Sequence, residues 1–111
     1  MNNVIYTDYF ANRLKRFLKK FPTLIDEIET LAETLEAAPQ TGTPMGAGFY
    51  KIRLSSKSKG KGKSGGFRVI TCLVYQSSEN TDIYLLTIYD KSEESNISKE
   101  ELVKLSKRIM K

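Results

Sequence analysis

The residues of this chain best suited to chemistry are cations gathered in one stretch, Phe49–Arg68. The stretch has no carboxylate and seven basic residues: Lys51, Arg53, Lys57, Lys59, Lys61, Lys63 and Arg68. Without these seven, 11 basic residues face 13 acidic ones, so the formal net charge of +5 comes from this stretch. Positive charge concentrated in one place attracts polyanions, and a phosphate backbone is the obvious candidate.

The first cations of the stretch alternate with apolar residues. Residues 49–55 read F-Y-K-I-R-L-S, which predicts a strand with one apolar face and with Lys51 and Arg53 on the other. Arg68 lies at the start of Phe67–Tyr75, whose nearly continuous apolar sequence predicts a central strand. If the two strands pair as a hairpin, these three cations border one groove.

The segment between the two strands, Lys57–Gly66, contains four lysines, four glycines and no apolar residue that could anchor it to a core. We therefore predict a mobile loop. Its lysines would attract RNA without sequence preference: Lys57, Lys59, Lys61 and Lys63. The G-K-G-K-S run is not a P-loop, because Lys57 occupies a position where that motif needs glycine and no helix follows.

The rest of the chain predicts the elements that hold this stretch. A short strand at Val4–Tyr6 precedes two amphipathic helices, at about residues 9–21 and 23–37. Residues 39–48 are predicted to be a loop by composition, and Ile83–Tyr89 a further apolar strand.

A last helix should begin at Ser98, where Glu101 completes a capping box and Ile97 can pack onto Leu102. The predicted fold class is α+β, in the order β-α-α-β-β-β-α. A helical hairpin would pack on a small, antiparallel-rich, four-stranded sheet.

Length and composition set the remaining expectations. At 111 residues the chain is predicted to be a single domain, 1–111. Its one cysteine, Cys72, is expected in the core; with no histidine in the chain, we predict no metal and no cofactor. There is no signal-peptide pattern and no apolar run of about 18 residues, so we expect a cytoplasmic protein without a membrane partner.

Three motifs resemble the RelE/HigB toxin superfamily of bacterial type II toxin–antitoxin modules, most closely its HigB-2-like branch. They are P-M-G-A-G-F-Y-K-I-R-L at Pro44–Leu54, G-K-G-K-S-G-G-F-R-V-I at Gly60–Ile70, and I-Y-L-L-T-I-Y-D-K-S-E at Ile83–Glu93. The resemblance implies a RelE-like fold and a ribosome-dependent messenger-RNA endoribonuclease that blocks translation and arrests growth. It also implies three partners: a cognate antitoxin from the same operon, the ribosome and mRNA.

The resemblance further implies a set of site residues. Lys51 and Arg53 match two alternate basic residues of the ribonuclease branch, Arg68 matches an arginine opening the next strand, and Lys91 matches a basic residue after the last strand. Crowded cations disfavour one another's charged forms, so Lys51 is predicted to act as a base. Arg53 and Arg68 would clamp the phosphate, and Lys91 or Tyr89 would act as acid or stack on a base.

Other interpretations stay open at this stage. Known members place a tyrosine or histidine in the C-terminal segment, where this chain has Ile97. That difference favours a non-catalytic RNA-binding module. A gyrase-inhibiting toxin on the same fold is a third hypothesis, and the K-x-R pair with G-G-F-R argues against it. Arg68 could also be a structural residue paired with Asp82 or Asp90.

Overall fold

The computed structural model describes residues 1–59, 66–93 and 97–109. This part of the chain contains five strands and three α-helices. The strands are β1 (Asn2–Tyr6), β2 (Thr43–Gly46), β3 (Phe49–Leu54), β4 (Phe67–Tyr75) and β5 (Thr81–Asp90). The helices are α1 (Asp8–Leu18), α2 (Leu24–Ala37) and α3 (Lys99–Ile109). None of these helices is long and apolar enough to cross a membrane.

The strands form one mixed sheet in the order β1-β5-β4-β3-β2. β1 runs parallel to β5, and the other three neighbouring pairs are antiparallel. The predicted α+β class and the antiparallel-rich sheet with a central β4 are therefore confirmed.

The predicted number of four strands is wrong, because β2 forms inside the segment predicted to be a loop. Thr43 and Pro44 lie opposite Lys51 and Tyr50 of β3, and a register irregularity follows before Gly46. Proline cannot donate to a β-ladder, but on an edge strand its nitrogen can face away from the neighbouring strand. The element order thus gains one edge strand between α2 and β3.

Each face of the sheet carries its own hydrophobic core. The hairpin of α1 and α2 covers one face, and its Phe10 and Leu35 are buried in one core cluster with Val69 of β4. We call this the hairpin face. On the other face, which we call the α3 face, Leu102 packs into a core that includes Cys72. Because neighbouring strand residues point to opposite faces, alternate residues of β3 and β4 enter different cores.

The start of α3 is fixed by the predicted capping box. The Glu101 backbone nitrogen donates to Ser98 Oγ at 3.1 Å, and the Ser98 nitrogen donates to Glu101 Oε1 at 3.3 Å. Ile97 packs against the same core as Leu102. Reciprocal caps satisfy backbone groups that would otherwise be unpaired, so this motif fixes the start of α3. The helix lies on the face of the sheet that was predicted for Lys51.

Candidate nucleic-acid site

Four of the predicted site residues line one concavity of about 490 Å³. Its walls come from the start of β2, from β3 and β4, and from the turn that follows β5. The lining residues are Gly42, Thr43, Lys51, Arg53, Arg68 and Lys91. Four cations and no carboxylate among these residues make the site strongly attractive to an anion.

The sheet register brings two of these cations face to face. Arg53 lies directly opposite Arg68, and Arg68 lies opposite Tyr89 on its other side. Directly opposed residues of antiparallel strands have Cβ atoms about 4.5–5.5 Å apart, so like charges there destabilise the sheet. Lys51 is on the same side of β3, two residues or about 6–7 Å from Arg53. Three cations thus occupy neighbouring positions on one face of the sheet.

Arg68 makes no structural ion pair within the described residues. Its Nη1 donates to the neighbouring Phe67 carbonyl at 3.2 Å, and the side chain is half-buried. The hypothesis of pairing with Asp82 or Asp90 is wrong, because both carboxylates are engaged elsewhere. Asp82 accepts hydrogen bonds from two amide side chains, at 3.2 and 2.9 Å, and Asp90 binds Lys59.

A backbone bond holds Lys91 beside Arg68. The Lys91 nitrogen donates to the Gly66 carbonyl at 3.1 Å, which ties the turn after β5 to the start of β4. Gly66 has a φ of 77°, and a Cβ there would lie 2.8 Å from the Leu54 carbonyl oxygen. Only glycine fits this close approach without strain.

The wall formed by Gly42 and Thr43 was missed by the sequence analysis. Thr43 lies opposite Lys51 across β2 and β3. Gly42 has a φ of 106°, and a Cβ there would lie 2.6 Å from the Lys51 carbonyl oxygen. Composition alone predicted a loop at these residues, and only strand pairing brings them to the site.

Tyr89 is not among the residues that line the concavity, and its implied role as an acid or a stacking group stays a prediction. Its side chain is 2% exposed and packs in the α3-face core with Leu102. A position at the end of a strand indicated access to solvent, but α3 covers the ring. A substrate in the concavity would therefore meet Lys91 rather than this hydroxyl.

Lys59 is also placed differently from the prediction. Lys57–Lys59 form a turn of 3₁₀-helix, and Lys59 Nζ lies 2.6 Å from Asp90 Oδ1 with only 12% of its side chain exposed. The same ammonium lies 4.9 and 5.1 Å from the ring centroids of Phe67 and Phe21. Lys59 is therefore anchored inside the fold and not in an unanchored loop, while its expected contact with RNA stays a prediction.

The rest of the predicted basic loop divides in two. Lys57 is exposed, and its backbone nitrogen is held by Glu27 Oε2 at 2.8 Å. The hypothesis that nothing anchors this segment is therefore wrong for residues 57–59. Residues 60–65 lie outside the described residues, so the contacts expected of Lys61 and Lys63, and the mobility expected there, stay predictions.

The family model described as the RelE toxin of the RelE / RelB toxin–antitoxin system matches residues 9–110. The chain therefore belongs to the RelE toxin family. It is the toxin of a toxin–antitoxin module, and an antitoxin is its partner. All six residues that line the concavity fall inside the matched range.

Proposed function

We propose that this toxin is a metal-independent messenger-RNA endoribonuclease that acts on the ribosome in the cytoplasm, blocking translation and arresting growth. The observation that supports this most strongly is the concavity, whose described lining residues include four cations and no carboxylate. Membership of the RelE toxin family adds to it. The motifs around the site are those that resemble the HigB-2-like branch, to which we assign the chain as part of the proposal.

The two opposed arginines would hold the scissile phosphate. A guanidinium presents parallel N–H donors that match two phosphate oxygens, and two such groups can hold a phosphorane whose charge grows during the reaction. Arg68 is the better placed of the two, because it is half-buried on central β4 whereas Arg53 is exposed. Donors fixed before the reaction stabilise developing charge most strongly.

Lys51 and Lys91 would move the protons. Lys51 would remove the proton from a ribose 2′-OH, whose oxygen attacks the adjacent phosphorus. The bond from phosphorus to the 5′-oxygen then breaks, and Lys91 would donate a proton to that leaving oxygen. The products are a 2′,3′-cyclic phosphate and a 5′-hydroxyl.

A second candidate function is a module that binds RNA without cutting it. Two placements favour it: Tyr89 is buried under α3, and Ile97 occupies the C-terminal position with its side chain against a core. Neither residue offers a phenol or imidazole to a substrate in the concavity. Lysines alone would then have to supply both proton transfers.

Primer extension on a defined mRNA separates the two candidates. The purified toxin is incubated with the mRNA alone and with the mRNA on translating ribosomes. Cleavage at discrete positions only with ribosomes is the expected result. A shift of the mRNA in a gel without any cleavage would favour the binding module, and neither binding nor cleavage would defeat both.

A further inference from the structure

One side chain on the hairpin face contacts two residues that are paired across the sheet. Lys59 makes an ion pair with Asp90 at 2.6 Å, and its ammonium lies 4.9 Å from the centre of the Phe67 ring. Phe67 and Asp90 are direct partners in the register of β4 and β5. Lys59 therefore connects the start of β4 to the end of β5 from outside the ladder.

Each of these two residues directly precedes a cation of the concavity. Phe67 precedes Arg68, and Asp90 precedes Lys91. Consecutive strand residues point to opposite faces, so restraint of Phe67 from the hairpin face also restrains Arg68 on the α3 face. Asp90 is the last residue of β5, so its anchoring determines where the turn carrying Lys91 begins.

Asp90 also holds the turn from the other side. Its Oδ1 accepts hydrogen bonds from the Ser92 nitrogen at 2.9 Å and the Ser92 hydroxyl at 2.8 Å, and its carbonyl accepts from the Glu93 nitrogen at 3.0 Å. With Lys59 bound to the same Oδ1, this carboxylate fixes the residues on both sides of Lys91. The Asp90 residue is only 4% exposed, so its charge requires these partners.

We propose that Lys59 and Asp90 are positioning residues that set the placement of Arg68 and Lys91 for RNA cleavage. This inference rests on the proposed function. Catalytic groups must be held to within about 0.5 Å of their productive geometry, and side chains locked by surrounding contacts achieve this best. The ion pair touches no substrate; it acts through the backbone of the two neighbouring cations.

The test replaces the pair together, as Lys59→Met with Asp90→Asn. Removing one partner alone would leave a buried charge without compensation and could unfold the protein. The new amide oxygen can still accept from Ser92, and methionine keeps the packing on Phe67. Lys104→Met, on the exposed surface of α3, is the control for loss of one positive charge. Ser92→Ala is a milder variant that keeps the ion pair and removes the hydroxyl donor to Asp90.

Single-turnover cleavage of mRNA on ribosomes is measured for the full chain, with and without Lys91→Ala. The paired variant should cleave about 10-fold or more slowly at saturating mRNA, with KM within about twofold of wild type. Lys91→Ala should then reduce the rate much less in the paired variant than in wild type, because a misplaced Lys91 contributes less to the rate. Ser92→Ala should show the same pattern with a cleavage rate about threefold lower than that of wild type. Lys104→Met should cleave at the wild-type rate.

The inference would be overturned if Lys91→Ala and the paired substitutions reduced the cleavage rate independently, so that their effects multiplied. It would also be overturned if the paired variant cleaved at the wild-type rate. The inference would also be overturned if circular dichroism showed a loss of folded protein large enough to account for the lower rate. If the paired variant fails to fold, Ser92→Ala decides by the same criterion. In all these cases wild type still cleaves, so the proposed function stands. A wild-type toxin that neither binds nor cleaves mRNA would instead defeat the proposed function.

Discussion

The concavity and the Lys59–Asp90 pair use cations from the same basic stretch in opposite ways. In the concavity, Arg53 and Arg68 lie opposite each other, and the described residues that line it include no carboxylate. On the hairpin face, Lys59 is shielded from solvent and pairs with a carboxylate. The role of a cation therefore depends on its neighbours in space. The charge of Lys59 is neutralised within the fold, whereas Arg53 and Arg68 face each other across the two strands.

The two regions should also contribute to stability with opposite signs. Opposed like charges weaken a sheet, so an anion bound between Arg53 and Arg68 should raise the free energy of unfolding. The buried pair, by contrast, stabilises the fold only while both partners are present. Substitutions in the two regions should therefore separate stability from RNA cleavage.

Asp90→Ala should have the largest effect on folding. It leaves Lys59 buried without its partner, which should lower the free energy of unfolding by about 3–5 kcal/mol. Urea denaturation followed by circular dichroism measures this. Asp82→Ala on the same strand is the matched control, because it loses only hydrogen bonds to amides and should cost about 1 kcal/mol. Equal losses in the two variants would show that the ion pair has no special role.

Gly66→Ala should have the next largest effect and lower the free energy of unfolding by about 1–3 kcal/mol. The new Cβ would meet the Leu54 carbonyl oxygen at 2.8 Å, at a φ of 77° that alanine disfavours. Gly46→Ala is a suitable control: its φ is 90°, but the nearest atom is the end of the Lys99 side chain at 3.2 Å, which can move. Thermal melts of both variants compare the two costs. A smaller loss at Gly66 than at Gly46 would contradict the close approach between β4 and the end of β3.

The ion pair should make stability depend on acid pH. Burial raises the pKa of Asp90, but the hydrogen bonds from Lys59 and Ser92 and the charge of Lys59 outweigh it, and the pKa lies below its ordinary value. A lowered pKa contributes stability that is present above the unfolded value of about 3.9 and is lost as pH falls through the lower folded value. Unfolding measured from about pH 5 to pH 2 should therefore show stability falling more steeply for wild type than for the variant with Lys59→Met and Asp90→Asn. Parallel curves would contradict the assignment.

Lys57→Ala should have the smallest effect. Lys57 is exposed, so stability should change by less than about 0.5 kcal/mol. If its ammonium contacts one phosphate of single-stranded RNA, the slope of log affinity against log salt should decrease by about 0.7. Filter binding at several salt concentrations measures the slope, with Lys104→Ala as the control on α3. An unchanged slope would remove Lys57 from the RNA-binding surface.

The sequence predicted where the strand cations lie, because the signal for their placement is local. The period-two alternation of residues 49–55 placed Lys51 and Arg53 on one face, and the apolar run after Arg68 identified the central strand. Both signals depend only on neighbouring residues, which strand geometry converts directly into a face of the sheet.

The predictions failed for residues whose environment depends on contacts that are distant in sequence. Lys59 looked like a solvated lysine because its partner, Asp90, is 31 residues away in sequence. The sequence did not indicate β2, because proline and glycine are uncommon in strands. Its pairing with β3 is a tertiary contact that the local sequence does not show. Tyr89 looked accessible because nothing in its own segment shows that α3 covers it.

Replacing Arg68 with alanine tests most directly whether the cationic concavity is the site of RNA cleavage. Arg68 makes no ion pair in the described chain, so its loss should change the free energy of unfolding by no more than about 1 kcal/mol. Ribosome-dependent mRNA cleavage should fall by about 10²–10³-fold, the usual cost of removing one preorganised donor to a transition state. Arg108→Ala, at the exposed end of α3, should leave cleavage unchanged. A stable Arg68→Ala toxin that cleaves mRNA as fast as wild type would contradict the assignment of this concavity.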